Sequence, residues 1–332
     1  MNPCHHHDIV LFCLLRSATY QPVQKPTTMI VSTIRISALA ALFTTVCNGF
    51  SASLSNSRQR RKPVGLSAQR LICEFEASDF SLATGEWPYT TQDLSRLDNS
   101  KDDFFYDTPR FVTHIDDRAI ESLTNFYREE MAAVALKKKT NVDVLDLCSS
   151  WISHLPDDDI VPFGKVVGIG MNQQELEANK QLTDYFVQDL NENPKLEQLE
   201  DASFDVICNV VSVDYLTKPK EIFQEMHRIL RPGGLALMSF SNRCFPSKAV
   251  NMWLQADDIG RMTIVGSYFH YTAKWNRIEA LDILPEKVER PKAPSMTEIL
   301  QNPSSGFAWM TTAAAVQKQN TGDPMFVVKA VK

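Results

Sequence analysis

The chain has 332 residues, with a hydrophobic share of 44%, a charged share of 22% and a formal net charge of −6. These values are typical of an ordinary globular protein, and the length permits one large domain or two modest ones. From Glu74 onward, 26 Lys and Arg stand against 39 Asp and Glu, a net charge of −13. Because each phosphate contact must be matched by a basic side chain, this acidic body excludes nucleic acid as the expected partner.

The first 70 residues differ in composition from the rest. Asp and Glu are absent from residue 9 to residue 73, and the apolar run Ile36 to Cys47 follows a single arginine. That run is long enough for the core of a signal peptide and too short and Thr-rich to span a bilayer. The Ser- and Arg-rich stretch behind it is typical of transit peptides. We therefore predict a bipartite targeting presequence over residues 1–70, directed to a plastid, with a mitochondrion or the secretory route as alternatives. We expect no stable membrane span in the mature chain.

The cysteines do not indicate a metal centre. The four that follow the presequence, Cys73, Cys148, Cys208 and Cys244, have neither a disulfide framework nor a zinc-finger spacing. Three of these belong to predicted strands that would be neighbours in a sheet, so a thiolate site is conceivable. Cysteine is also a common small core residue, and this second interpretation is favoured. No metal is predicted.

The remaining elements alternate between strands and helices. A helix is predicted over 118–139, capped by Asp116 or Asp117 and ending in lysines that suit its dipole. The predicted strands are 142–148, 165–171, 186–190, 204–213, 235–241, 277–284 and 325–332, and the later helices are 173–186 and 219–230. Such alternation predicts an α/β fold, a doubly wound Rossmann-like sheet with a mainly parallel core and an antiparallel C-terminal edge strand. Residues 71–140 would form an N-terminal arm and cap helix, and residues 141–332 the Rossmann-like domain. The stretch between the last two strands is expected to be loop plus a short helix.

One forty-residue string carries a family resemblance. FDVICNVVSVDYLTKPKEIFQEMHRILRPGGLALMSFSNR, residues 204–243, resembles class I S-adenosylmethionine-dependent methyltransferases of the type 11 kind. Its FDxV strand, its Leu-x-x-Pro start of a helix and its ExxRxLxPGG turn follow the family order and spacing. The resemblance extends over about residues 141–245. It implies S-adenosylmethionine as the cofactor and methyl transfer to a small-molecule acceptor, and it leaves the oligomeric state and the acceptor open.

The glycine-rich loop of the family is altered here. The family pattern Asp-x-Gly-x-Gly-x-Gly corresponds to residues 146–152, in which all three glycines are replaced. Glycine suits such a loop because the backbone approaches the cofactor closely and can adopt a positive φ. The resemblance implies that Asp146 fixes the loop and that Cys148, Ser149 and Ser150 contact the methionyl part of the cofactor. The tryptophan that follows would turn toward the pocket or the core.

The resemblance also assigns the other cofactor contacts. Gly170 stands where the family has a carboxylate that binds both ribose hydroxyls, and Asn172 is the nearest polar side chain. Asp189 would accept from the adenine amino group, with Leu190 against the ring, and Asn209 would lie beside the methionyl part. The alternative role for Asp146 and Asp189 is to cap a helix or a turn.

Candidates for catalysis and acceptor binding follow the strand ends. His154, Asp214 and Tyr215 come after the first and fourth strands, and a general base is needed there only if the acceptor carries a proton. Their alternative roles are to hold the loop, to pack or to remain solvated. Asn242 and Arg243 follow the fifth strand, where Arg243 would bind an acidic substrate or form a structural salt bridge.

The arm before the first helix supplies three more candidates. Tyr106, Arg110 and His114 would form a lid over the cofactor and contact the substrate, or else only dock the arm. The many apolar residues after the fifth strand weakly favour a hydrophobic acceptor.

Two other functions compete with methyl transfer. The lost glycines and the lost ribose carboxylate favour a degenerate methyltransferase fold that serves as a non-catalytic binding or assembly module. A dinucleotide oxidoreductase is disfavoured because no GxGxxG follows a strand.

Overall fold

The structure is a computed structural model that describes residues 69–80, 86–157 and 159–332. The chain divides into two units, residues 1–61 and residues 62–332, and all described residues belong to the second. Apart from its last two residues, the predicted presequence lies outside the described part, so the targeting prediction stays a prediction.

The described residues of the second unit form one sheet with helices and loops around it. The strands are β1 (Arg70–Glu74), β2 (Val142–Leu147), β3 (Phe163–Gly170), β4 (Asp184–Val187), β5 (Phe204–Val210), β6 (Leu230–Phe240), β7 (Arg277–Asp282) and β8 (Phe326–Val331). The helices are α1 (Asp102–Tyr106), α2 (Asp117–Lys138), α3 (Gln173–Ala178), α4 (Pro219–Ile229), α5 (Asn251–Gln255), α6 (Asp258–Thr272), α7 (Met296–Gln301) and α8 (Pro303–Asn320). Short 3₁₀ turns occur at Ala77–Phe80 and Val213–Tyr215.

The sheet has the order β1-β7-β8-β6-β5-β2-β3-β4. Strands β2 to β6 pair in parallel, whereas β8 is antiparallel to both β6 and β7, and β1 is antiparallel to β7. This confirms the predicted α/β class, with a parallel core and an antiparallel part at one edge. The C-terminal strand β8 is the third strand from that edge, because β7 and β1 add outside it.

The chain order places a crevice at the centre of the sheet. From β2 the chain proceeds outward through β3 to β4, and then returns to β5 on the other side of β2. Ligands of such sheets bind outside the carboxyl ends of the strands where the order reverses. A ligand site is therefore expected at the carboxyl ends of β2 and β5.

Helix α2 covers one face of the sheet, as its spacing predicted. Asp116 caps its start by accepting from the backbone N–H of Ala119, and Lys139 ends it with a φ of 60°. Its buried face includes Leu123 and Phe126, which pack with residues of the central strands. Burial of each such side chain contributes about 1.5–3 kcal/mol, so packing fixes the position of this helix.

The apolar residues after β6 form the core of the other face. Trp253, Met262, Tyr268 and Phe269 are between 0% and 3% exposed and pack with α4 and the sheet. They lie on α5 and α6, two helices that the sequence analysis did not predict. These residues therefore give no support to a hydrophobic acceptor, since the core already uses them.

Two connecting segments differ from the prediction. The predicted helix 173–186 ends at Ala178, because the side chain of Asn179 turns back to donate to the carbonyl oxygen of Ser150. Between β7 and β8 the chain forms α7 and α8 in place of mostly loop. The capping box between Ser295 and Glu298, which starts α7, is a sequence signal for this helix. No helix in the described residues is long and apolar enough to cross a membrane.

Candidate cofactor site

A cavity of about 400 Å³ opens at the carboxyl ends of the parallel strands. Its walls are the loop after β2, the ends of β3 to β6 and an N-terminal segment, residues 102–115, called the arm below. The predicted site residues that line it are Tyr106, Arg110, His114, Asp146, Cys148, Ser149, Ser150, His154, Gly170, Asn172, Asp189, Leu190, Tyr215 and Arg243. Pockets for small ligands and cofactors occupy roughly 300–1,000 Å³, so the volume suits a small ligand.

The loop after β2 keeps a glycine-like backbone without glycine. Cys148, at the first glycine position of the family pattern, has a φ of 61°. The backbone N–H of Ser149 then donates to the carbonyl oxygen of Ile169 at 2.6 Å. A Cβ added to Gly170 would lie 2.2 Å from the carbonyl oxygen of Ser149. The close approach of loop and strand is thus made possible by a glycine on β3, while the loop itself carries side chains.

Asp146 fixes this loop through serine hydroxyls. Its Oδ2 accepts from the hydroxyls of Ser149 and Ser153, each at 2.6 Å. Burial raises the pKa of Asp146 to about 6, and the two hydroxyl hydrogen bonds oppose that rise. The resemblance implied that Asp146 fixes the loop, and it does so here by side-chain contacts.

Trp151 lies against the arm. Its indole Nε1 donates to the carbonyl oxygen of Val112 at 3.1 Å, and its ring meets Phe111 edge-on with centroids 6.4 Å apart. Trp151 and Ile152 are both half-buried and line the cavity without closing it. Trp151, at a variable position of the family pattern, and Ile152, at its last glycine position, therefore leave room for a ligand.

Asn172 is already engaged by protein groups. Its Oδ1 accepts from the backbone N–H of Glu175 as the cap of α3, and its Nδ2 donates to the carbonyl oxygens of Tyr106 at 2.8 Å and Asp107 at 3.1 Å. In the structure Asn172 anchors the arm. Any contact with a ribose would have to compete with these bonds.

Glu175 is a buried carboxylate on the cavity wall that the sequence analysis missed. It accepts from the hydroxyl of Ser150 and from the backbone N–H of Arg110, each at 2.6 Å. Because Glu175 is the third residue of a helix capped by Asn172, the Asn-x-x-Glu spacing was the available signal. The loop, the helix and the arm therefore meet at this one side chain.

Asp189 caps a turn after β4. Its Oδ1 accepts from the backbone N–H groups of Asn191 at 2.8 Å and Glu192 at 3.3 Å. Burial raises the pKa of this carboxyl above its ordinary value. Leu190 beside it is buried on the same wall. Asp189 therefore does cap a turn, which was its alternative role, and it uses only one of its two carboxylate oxygens to do so.

Asn209 lies below the cavity. It is fully buried in β5, does not line the cavity and donates from Nδ2 to the carbonyl oxygen of Leu147 at 2.9 Å. Its Oδ1 has no hydrogen-bond partner among the described residues. Asn209 thus joins β5 to β2 below the cavity wall, and its contact with the cofactor stays a prediction.

His154 is a neutral imidazole on the cavity wall. It is 9% exposed with a φ of 55°, and its Nδ1 has no partner among the described residues. Its backbone carbonyl oxygen accepts from the hydroxyl of Thr124. Burial lowers the pKa of His154 to about 4, so the ring carries no proton charge at neutral pH.

This burial predicts a pH effect that His154→Gln removes. The folded pKa of about 4 lies below the ordinary 6.5, so the unfolded chain binds the proton first as pH falls. Stability from this group is present above about pH 6.5 and is lost down to pH 4. Between pH 7.5 and 5 we expect wild type to lose about 2 kcal/mol more unfolding free energy than the Gln variant. Urea titrations of both proteins measure this, and parallel pH curves would contradict it.

Asp214 and Tyr215 do not share one role. Asp214 is 2% exposed, does not line the cavity, and burial raises its pKa to about 8, so it is protonated at neutral pH. It is therefore not a base that faces the acceptor. Tyr215 lines the cavity, and its hydroxyl oxygen accepts from the backbone N–H of Phe245 at 2.9 Å.

Asn242 and Arg243, the second and third residues after β6, face outward. Asn242 is exposed, lies off the cavity and accepts from the hydroxyl of Ser241. Arg243 reaches the rim, but its Nε lies 2.8 Å from Oδ1 of Asp323. The structural salt bridge, which was one of the two alternatives for Arg243, is the arrangement observed.

The cysteines of the sheet behave as small core residues. The Sγ of Cys208 lies 3.7 Å from the carbonyl oxygen of Leu145, and burial raises the pKa of Cys148 to about 12, which keeps it a thiol. All four described cysteines are free. Within the described ranges, no cluster of three or more His, Cys, Asp or Glu side chains is arranged to hold a metal ion.

Residues 157–238 match the family model described as "Methyltransferase domain". A search of curated proteins gave no significant match.

Three solved structures show a weak similarity to this chain. The plantazolicin methyltransferase in complex with SAH is 13% identical, with a TM-score of 0.41, and the alignment covers 65% of this chain and 85% of that one. A SAM-dependent methyltransferase from Archaeoglobus fulgidus is 14% identical with a TM-score of 0.38, covering 62% and 94%. The [4+2]-cyclase SpnF is 17% identical with a TM-score of 0.35, covering 62% and 81%. Similarities of this size carry no argument about activity. Residues 157–238 are thus similar to a methyltransferase domain, which agrees with the resemblance found in the sequence.

Proposed function

We propose that this chain transfers the methyl group of S-adenosylmethionine to a small-molecule acceptor in the cavity at the ends of β2 and β5. The observation that carries the proposal is the open volume of about 400 Å³ above a loop that lacks its glycines. Cys148 adopts the glycine-like backbone, and Trp151 lies against the arm. The loop is thus compatible with a bound nucleoside.

The residues present fit such a cofactor. On the β4 side, the second oxygen of Asp189 is available to an adenine amino group, and Leu190 offers an apolar surface to the ring. Buried Glu175 and the hydroxyls of Ser149 and Ser150 supply polar groups on the adjoining walls. When bound, S-adenosylmethionine supplies a methyl group activated by a sulfonium. The cavity walls would hold the acceptor in line with it, and alignment of two reactants can contribute roughly 7–11 kcal/mol.

His154 is the candidate to receive a proton from the acceptor. Burial lowers its pKa to about 4, so the ring is neutral at pH 7 and one ring nitrogen keeps a free lone pair. Nδ1 is itself buried, which leaves Nε2 as the nitrogen that an acceptor would reach. General-base assistance contributes about 10²–10⁴ in rate where the acceptor is protonated. An acceptor that is already anionic or a free amine would not need it.

Calorimetry with the full-length chain tests cofactor binding. We expect S-adenosylmethionine and S-adenosylhomocysteine to bind and NAD to give no heat. Asp189→Asn should weaken binding at least tenfold, because the amide oxygen stays with the turn N–H groups and the NH₂ then faces the adenine amino group. The matched control is Asp184→Asn, since Asp184 accepts from a backbone N–H on the same strand, away from the cavity. If both variants bind S-adenosylmethionine equally well, Asp189 does not contact the cofactor. If wild type gives no heat with S-adenosylmethionine, the proposed function is wrong.

A non-catalytic module remains the second candidate. The observation that favours it is that several expected ligand groups already bind other protein groups. Asn172 holds the arm, Ser149 donates to Asp146, and Ser150 donates to Glu175. Mass spectrometry of the purified, native chain separates the two candidates. Co-purified S-adenosylmethionine or S-adenosylhomocysteine supports the enzyme, whereas their absence together with a silent calorimeter supports the module.

We further propose that residues 1–70 direct the chain to a plastid. The acid-free composition and the order of an apolar run before a Ser- and Arg-rich stretch support this proposal. Fusion of residues 1–70 to a fluorescent protein, expressed in an alga with secondary plastids, should give plastid fluorescence. Mitochondrial or secreted fluorescence would assign one of the alternative routes.

A further inference from the structure

The cavity wall beside β5 and β6 is aromatic. The rings of Tyr106, His114, Tyr215 and Phe245 all line it. The Phe245 centroid lies 5.5 Å from that of His114 and 6.1 Å from that of Tyr215. Such rings favour stacked or edge-on contact with another planar ring. This wall is therefore shaped for a flat, conjugated group.

One cation on this wall has no anionic partner. The Cζ of Arg110 lies 4.4 Å above the ring of Phe105 and 5.6 Å from that of Phe245, and Nη2 donates to the Phe105 carbonyl oxygen. Among the described residues no carboxylate lies within ion-pair distance of it. Arg243, the other arginine on the cavity, is paired with Asp323. Since a guanidinium has five N–H donors, most of those on Arg110 are left for a ligand.

Building on the proposed function, we propose that the methyl acceptor is a planar aromatic acid whose carboxylate pairs with Arg110. Its ring would lie among Tyr106, Tyr215 and Phe245. A guanidinium binds a carboxylate through two parallel hydrogen bonds, and the surrounding rings exclude water that would weaken the pair. The methionyl carboxylate of the cofactor has the same chemistry, so the experiment must separate the two sources.

Saturation-transfer NMR measures binding of the proposed acceptor. The full-length chain, saturated with S-adenosylhomocysteine, is titrated with benzoate and with benzyl alcohol, which has the same ring and no charge. We expect benzoate to bind at least tenfold more tightly than the alcohol. Arg110→Met should remove that preference, and Arg110→Lys should restore part of it because the charge returns without the fork. The matched control is Arg118→Met, because Arg118 also donates to one backbone carbonyl but lies outside the cavity.

A second experiment tests whether Arg110 instead binds the carboxylate of the cofactor. Calorimetry gives the affinities of S-adenosylhomocysteine and of 5′-methylthioadenosine, which lacks the amino-acid part, for wild type and Arg110→Met. An unchanged ratio of these affinities, with the benzoate preference lost, supports the proposal. A ratio that collapses while benzoate binding persists assigns Arg110 to the cofactor and overturns it.

Failure of the proposed function would look different. If S-adenosylhomocysteine does not bind wild type, the benzoate titration is run on the ligand-free chain, where a preference that depends on Arg110 would still show an acid-binding cavity. If wild type binds S-adenosylhomocysteine but does not prefer benzoate, the acceptor proposal alone is overturned.

Discussion

Gly170→Ala should destabilise the fold by about 3 kcal/mol and abolish binding of S-adenosylhomocysteine. The added Cβ would lie 2.2 Å from the carbonyl oxygen of Ser149 and 3.1 Å from Cδ2 of Leu176. The nearer contact is with backbone, so either β3 or the loop after β2 must move. Overpacking of a tight site typically costs 1–3 kcal/mol, and the displaced loop also forms the cavity floor. Urea unfolding and calorimetry measure the two effects.

Gly306→Ala is the control for this prediction. A Cβ at Gly306, in α8, meets only side-chain carbons of Ile299 at 3.6–3.7 Å, which is ordinary contact. Because alanine is favoured over glycine inside a helix by roughly 1 kcal/mol, this variant should be neutral or slightly stabilised. Equal stability of Gly170→Ala and Gly306→Ala would show that the loop does not approach β3 as closely as described.

Asp102→Asn should cost about 3–5 kcal/mol of unfolding free energy. Asp102 is 4% exposed and accepts from Nη1 of Arg96 at 2.8 and 2.9 Å, and Nζ of Lys248 lies 3.2 Å away. The side chain of Lys248 is 1% exposed. Removing the central carboxylate would leave the buried guanidinium of Arg96 poorly compensated, while Lys248 would keep Asp98 at 2.9 Å. Loss of such a buried pair is far more costly than loss of a surface pair. Chemical denaturation measures the loss.

The neighbouring Asp103→Asn is the matched control. Asp103 shares the first turn of α1 but is exposed, so the change should cost less than about 1 kcal/mol. Burial alone would raise the pKa of Asp102, but hydrogen bonds from Arg96 and Asn191 outweigh it and hold the pKa below its ordinary value. The stability it contributes is present above about pH 4 and is lost as pH falls through the lower folded pKa. Equal stability of the two variants, or no acid effect specific to Asp102, would contradict the buried pair.

Local signals predicted most of the fold. Each of these signals lies within a few residues of the element that it predicts. They are the β-branched runs of the strands, the lysines that suit the dipole at the end of α2, and the Pro-Gly-Gly sequence near the start of β6. Helices α5 and α6 were missed because their apolar residues were interpreted as an acceptor surface. Helix α3 was predicted too long because its end depends on Asn179, whose partner Ser150 lies on a different segment.

The candidate site was predicted as a location more than as a set of contacts. The resemblance placed Asp146, Asp189 and Gly170 at one cavity, but which groups are already engaged depends on the arm, about forty to seventy residues away along the chain. Asn209 does not line the cavity because its position along β5 does not give its depth below the sheet edge. Asp214 lies in the 3₁₀ turn after β5 and is buried, whereas its neighbour Tyr215 lines the cavity. Glu175 was missed because the family pattern places the ribose carboxylate earlier, at the end of the strand.

The contacts of Glu175 have a thermodynamic consequence. Ser150 and the arm backbone at Arg110 share this one carboxylate as acceptor. A ligand that took either bond for itself would also weaken what keeps the arm in place. By reciprocity, undocking of the arm must change ligand affinity by the same factor by which the bound ligand changes the docking equilibrium of the arm. Ligand occupancy of the cavity and the order of the arm would therefore both report the same coupling free energy.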